Sequence, residues 1–129
     1  MRSSTSTRSY AIDAAGAVSS PANTLLVLGG SANVRPELFD IMLSFSSLPA
    51  DNGLSVVVQR ITTLGTSTPL APAALDPDDP AAASTPAGTN CTTEPDYLPA
   101  AVLWRIAINA RGSYRWRADR HGRLVGSRA

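Results

Sequence analysis

Few residues in this chain are of a type that does chemistry, and their spacing suits little of it. His121 is the only histidine, so a Ser-His-Asp or Cys-His arrangement has a single candidate base. It lies in Asp119-Arg120-His121-Gly122-Arg123, which reads as a solvated turn. Cys91 is the only cysteine, so no intramolecular disulfide can form, and it lacks the clustered His and Cys neighbours of a transition-metal site. Asp76, Asp78 and Asp79 form the one acidic cluster. A calcium loop would need a glycine and a distal glutamate in register with them; neither is present, so turn formation and capping are the expected roles. All eleven basic residues are arginine, which excludes a lysine nucleophile or Schiff base. Gly29-Gly30 lacks the further glycines of a phosphate loop and reads as a strand-ending turn. The expectation is a non-enzyme with no catalytic, cofactor-binding or metal-binding residues.

The remaining chemical candidate is a set of arginines beside aromatic rings. Arg111, Arg115, Arg117, Arg120, Arg123 and Arg128 accompany Tyr114 and Trp116, and such interleaving can serve phosphate contact and base stacking. On a strand, however, Tyr114 and Trp116 share one face while Arg115 and Arg117 share the other, which makes an amphipathic strand with its aromatics inward. The formal net charge of +1 supplies no field to attract a polyanion, so nucleic acid is not an expected partner.

The elements that would position these residues are strands. Leu54 to Leu64 is the densest β-branched run and is expected to be a central strand. Before it, Phe39, Ile41, Leu43 and Phe45 alternate with Asp40, Met42, Ser44 and Ser46, which predicts a strand over Val34 to Ser46; a helical reading of Pro36 to Leu43 is the alternative. The intervening Asp51-Asn52-Gly53 suits a turn that would pair these two strands antiparallel. Shorter strand patterns occur at Tyr10 to Ala15 and Thr24 to Leu28. After a further strand at Ala101 to Asn109, with Val102, Trp104, Ile106 and Ile108 on one face, a turn leads to a last strand at Tyr114 to Arg117.

Most of the ten prolines lie between Pro69 and Pro99, so residues 66–100 are expected to be a long surface crossover with Leu70 and Leu75 tucked into the body. Helical turns are expected at Pro72 to Leu75 and Asp79 to Ala83. The predicted fold is all-β, a β-sandwich or jelly-roll-like small barrel with this long Pro-rich crossover loop. Residues 1–9 would be a flexible N-terminal arm, 10–129 a single β-sandwich domain, and 118–129 an Arg-rich tail. No apolar run approaches the roughly 18 residues of a membrane helix, so no membrane association is expected.

An ordered set of segments resembles a family of small structural proteins of tailed bacteriophages and prophages. The segments are Pro36-Glu37-Leu38-Phe39-Asp40-Ile41, Pro49-Ala50-Asp51-Asn52, Val58-Gln59-Arg60-Ile61-Thr62-Thr63-Leu64-Gly65-Thr66, Ala74-Leu75-Asp76-Pro77, Asp79-Pro80-Ala81, Thr92-Thr93-Glu94-Pro95 and Tyr114-Arg115-Trp116. The resemblance implies a β-sandwich virion component, a capsid cement or decoration protein made in the host cytoplasm and placed on the capsid surface. Its partners would be the major capsid protein and further copies of itself, a trimer being favoured. A receptor- or carbohydrate-binding head domain of a phage fibre or tail accessory is the alternative, with residues 66–100 as the recognition surface. The residues expected to serve assembly are Arg60, Leu70, Leu75, Tyr114 and Trp116. An arginine beside a valine run needs an acidic or carbonyl partner, which Arg60 would find on the loop or on a neighbour. Related chains continue past Tyr-Arg-Trp with further strands, whereas here Ala118 to Ala129 is polar, so the last strand is shortened or a partner subunit completes the sheet.

Overall fold

The computed structural model describes residues 8–16, 24–45, 51–82, 86–119 and 121–126. Most of the arm expected at 1–9, the Ala83 end of the second expected helical turn and the last residues of the tail lie outside them. The described residues contain eleven strands and no helix: β1 (Tyr10–Ala11), β2 (Val27–Leu28), β3 (Glu37–Leu38), β4 (Asp40–Leu43), β5 (Gly53–Ile61), β6 (Thr66–Pro69), β7 (Ala73–Ala74), β8 (Ala87–Thr93), β9 (Tyr97–Asn109), β10 (Tyr114–Arg117) and β11 (Leu124–Val125). Every ladder is antiparallel, in the orders β1-β7, β10-β4, β11-β3, β2-β8-β6 and β5-β9. The protein is all-β, and the ladders of the described residues do not form a closed barrel.

The longest ladder follows from simple alternation. In β5, Leu54, Val56 and Val58 are half-buried while Ser55, Val57 and Arg60 are exposed. Opposite them stand Ile108, Ile106 and Trp104 of β9, so three apolar cross-strand pairs line one face. The same logic builds the second ladder: Leu43 pairs with Tyr114 and Ile41 with Trp116 on one face, Met42 with Arg115 and Asp40 with Arg117 on the other. The outer face is wet, with Met42 73% exposed.

Ala110 to Ser113 carry the chain from β9 to β10. This connection is tied to the residues just before β5: the Ala110 amide donates to the Asn52 carbonyl at 2.9 Å, and Asn109 Nδ2 donates to Asp51 Oδ1 at 2.8 Å. β4 and β5 therefore do not form the expected antiparallel pair, and β5 is not a central strand but half of a two-stranded ribbon. The physical reason is burial. A hairpin would set both strands in one sheet, whereas separate ladders let their apolar faces meet across two layers. Trp104 spans the layers, its ring centroid 6.1 Å from that of Tyr114 and 6.2 Å from that of Trp116, at tilted angles typical of favourable aromatic pairs.

The proline-rich stretch is more ordered than its composition suggests. Three of the strands, β6, β7 and β8, lie inside the segment expected to be a surface loop, and Gly88, Thr89 and Pro95 there are buried. Its prolines occupy tolerated places: Pro69 ends β6, Pro72 precedes β7 and Pro86 precedes β8. The Thr89 hydroxyl lies 3.1 Å from the Ala15 carbonyl and 2.8 Å from that of Leu25, tying β8 to two earlier segments. The helical turn expected at Pro72 to Leu75 is replaced by β7, because Ala73 and Ala74 find ladder partners in Ala11 and Tyr10 and the Leu75 amide donates to the Ser9 carbonyl at 2.9 Å. Asp76 forms a turn as expected, accepting from the Asp78 amide on Oδ1 and from the Asp79 amide on its carbonyl, both at 3.0 Å.

The Arg-rich tail likewise contains a strand. Past β10, the Ala118 amide bonds the Phe39 carbonyl at 2.8 Å, and further on Leu124 pairs with Leu38 and Val125 with Glu37. The interior that results is thin. Among the described residues Val27 and Ala110 are the buried hydrophobic positions, and no side chain is fully enclosed.

Candidate assembly surface

The longest exposed apolar stretch is the first half of β9. Tyr97, Leu98, Val102 and Leu103 are each between 36% and 42% exposed, and Val57 of the paired strand adds to the patch. The cause is a disrupted register. Val58 faces Trp104, but Gln59 faces Val102 and Ile61 faces Tyr97, so extra residues accumulate in β9 and bulge away from β5. The Gln59 side chain fills part of the gap by donating from Nε2 to the Leu98 carbonyl at 3.0 Å. Val102 was expected to share the inner face with Trp104, and this bulge is why it does not. Both outer edges of the β5–β9 ribbon lack a ladder partner among the described residues, which is the property that lets a sheet accept another chain.

Tyr97 of this stretch also belongs to a polar network. The Glu94 carboxylate accepts from the Thr24 amide at 3.1 Å and from the Tyr97 hydroxyl at 3.1 Å, and the Thr24 hydroxyl bonds both Glu94 and Tyr97. The Thr24 hydroxyl does most to hold the Glu94 carboxyl below the usual range, against a smaller opposing desolvation. Neighbouring Cys91 is half-buried, and burial together with the Glu94 charge pushes its thiol up, which makes it a poor nucleophile. The network ties Thr24, in the segment before β2, to Glu94 and Tyr97 at the β8–β9 connection. Because the carboxyl is depressed in the folded state, its contribution is present above the unfolded value and is lost as pH falls through the folded one. Urea midpoints of the wild type and Glu94→Gln should therefore differ at neutral pH and converge below the ordinary carboxylate range; a difference unchanged by acid would contradict the charged network.

The residues expected to serve assembly are scattered. Arg60 finds a carbonyl partner, donating from Nη1 to Val125 at 2.9 Å, but on β11 of the same chain and not on the 66–100 loop or a neighbour. Leu70 is half-buried, but Leu75 is 62% exposed instead of tucked inward, because β7 is a two-residue edge and the chain turns outward at Asp76. Tyr114 and Trp116 point inward onto Trp104, so they serve the contact between layers and not an outer surface. Their strand neighbour Arg115 makes a two-pronged pair with Asp40, Nε to Oδ1 at 3.0 Å and Nη2 to Oδ2 at 2.7 Å. The His121 amide bonds Asp119 Oδ1 at 3.1 Å, in the turn read from its sequence context. No group of three or more His, Cys, Asp or Glu side chains that could hold a metal occurs among the described residues.

Residue-type reasoning missed the Thr24–Glu94–Tyr97 network, in which Thr24 lies 70 and 73 residues from the other two and no motif joins them. It also began the β9 strand at Ala101, since Pro99 obscured the apolar Tyr97-Leu98 that precedes it. Comparison with protein-family models, with curated proteins and with solved structures gives no match to this chain. What the fold and surface define is a class: a thin, all-β, two-layered domain with open strand edges.

Proposed function

We infer that this protein is a non-enzymatic structural component of a phage virion, a capsid cement or decoration protein that stabilises the head. The observation that carries the reading is the exposed apolar half of β9 on an open-edged ribbon, in a domain with little interior of its own. Such a domain gains by burying that strand against a neighbour, and apolar patches beside unpaired edges are where chains add to one another. The ordered resemblance of its segments to tailed-phage structural proteins supplies the setting. In this reading Tyr97, Leu98, Val102, Leu103 and Val57 contact the major capsid protein, and the protein assembles as a homo-oligomer, a trimer by preference, on the capsid surface.

The test is sedimentation of purified protein with capsid shells that lack it. The expected result is co-migration with the shells and a rise in the temperature at which they rupture. Protein that stays at the top of the gradient, with shells no more heat-resistant than before, would remove the cement role.

A further inference from the structure

The edge of β3 and the two guanidiniums beside it form a site built to grip a strand by its backbone. Arg35 Nε donates to the Gly126 carbonyl at 3.1 Å and Arg60 Nη1 to the Val125 carbonyl at 2.9 Å. The Pro36 carbonyl accepts the Gly126 amide at 2.8 Å, and Leu38 and Glu37 face Leu124 and Val125 in register. One position of the gripped strand must be small, because a Cβ on Gly126 would come within 2.7 Å of Pro36 Cγ. Arg123 closes the far side, with Nη1 3.1 Å from Glu37 Oε2 and its guanidinium 5.4 Å from the centre of the Phe39 ring.

We propose that this is a strand-acceptor site whose occupant in the assembled protein is β11 of a second copy, exchanged for the chain's own. Three observations favour exchange. The intramolecular ladder is only two residue pairs long, so β11 is held mostly by the guanidinium and Pro36 contacts, which a second copy's β11 would make equally well. The arginines bind main-chain carbonyls, which are the same whichever copy presents them. Between β10 and β11 the His121 and Gly122 amides bond back to Asp119, and a turn of this kind, once straightened, lets the strand that follows it reach a neighbour at low cost. The proposal deepens the homo-oligomer part of the proposed function and rests on it, yet it is read out without shells.

The experiment uses full-length chains in a Cys91→Ser background. One population carries Leu38→Cys and the other Leu124→Cys, two positions that face each other in an antiparallel ladder, where Cα separations permit a disulfide. Mixed and equilibrated in a glutathione buffer, the two should give a covalent heterodimer, and adding Arg60→Met to the first population should lower its yield several-fold. A Met42→Cys partner, on the outer face, should give none. Absence of the Leu38–Leu124 heterodimer overturns exchange, whether or not a chain carrying both cysteines closes on itself. An equal yield from the Met42→Cys control would also overturn it, since the contact would then not be specific. Loss of the heterodimer alongside intact binding to shells would sink the exchange and leave the cement role standing.

Discussion

Replacing Trp104 with alanine is expected to lower stability by about 3 kcal/mol, toward the lower end of large-aromatic truncations because the side chain is half-buried. The indole links the two ladders by contacts with both Tyr114 and Trp116, so its loss should loosen the layers and not only leave a void. Near-ultraviolet circular dichroism and a urea midpoint measure both effects. Trp104→Phe should recover most of the loss. Nε1 of Trp104 is buried with no hydrogen-bond partner among the described residues, and an unpaired buried donor costs about 1–3 kcal/mol, which phenylalanine does not incur. A Phe variant as damaged as the Ala variant would show that the indole nitrogen is satisfied in solution.

Gly65→Ala is expected to cost about 3 kcal/mol, since it combines a disfavoured backbone region with a backbone collision. Gly65 has φ +68°, and a Cβ there would run into the Thr93 carbonyl oxygen, with Glu94 C and Pro95 N each at 2.9 Å. The obstacle is main chain, which cannot swing aside as a side chain could. Asparagine, which tolerates positive φ, separates the two causes. If only the backbone angle mattered, Gly65→Asn would be nearly as stable as wild type; the close approach of Thr93 to Pro95 makes Asn nearly as costly as Ala. The position matters because Gly65 is where the chain leaves the β5–β9 ribbon and enters β6, so strain there disturbs both sheets.

The parts of the fold legible in the sequence were those set by period-two alternation. Ile41 and Leu43 against Met42, and Tyr114 and Trp116 against Arg115 and Arg117, sorted to inner and outer faces as the pattern required. Alternation, however, says which face a strand buries and not which strand it buries against. Asp51-Asn52-Gly53 therefore read as a hairpin although the strands on either side pair elsewhere, because turn-forming residues do not name a strand's partner and only the distant Ile108 and Trp116 decide it. Proline density misled in the opposite direction. It marked residues 66–100 as loop, although prolines at strand ends leave the interior of β6 and β8 free to pair. For Arg60 the charge beside a valine run pointed to a carbonyl partner but not to its place, Val125 of β11, which only the tertiary fold brings near. The apolar half of β9 was not legible, because its exposure comes from a register slip against Gln59 that no local pattern announces.

Hydrogen exchange across Leu98 to Leu103, compared between free and shell-bound protein, bears most directly on the assembly role. These amides lie on a bulged, open edge in the isolated chain, where the ladder to β5 is broken. Burial of β9 against the shell should slow their exchange strongly while leaving the already paired Leu54 to Val58 nearly unchanged. Exchange at Leu98 to Leu103 that is equally fast in both states would contradict the assignment of this surface to assembly.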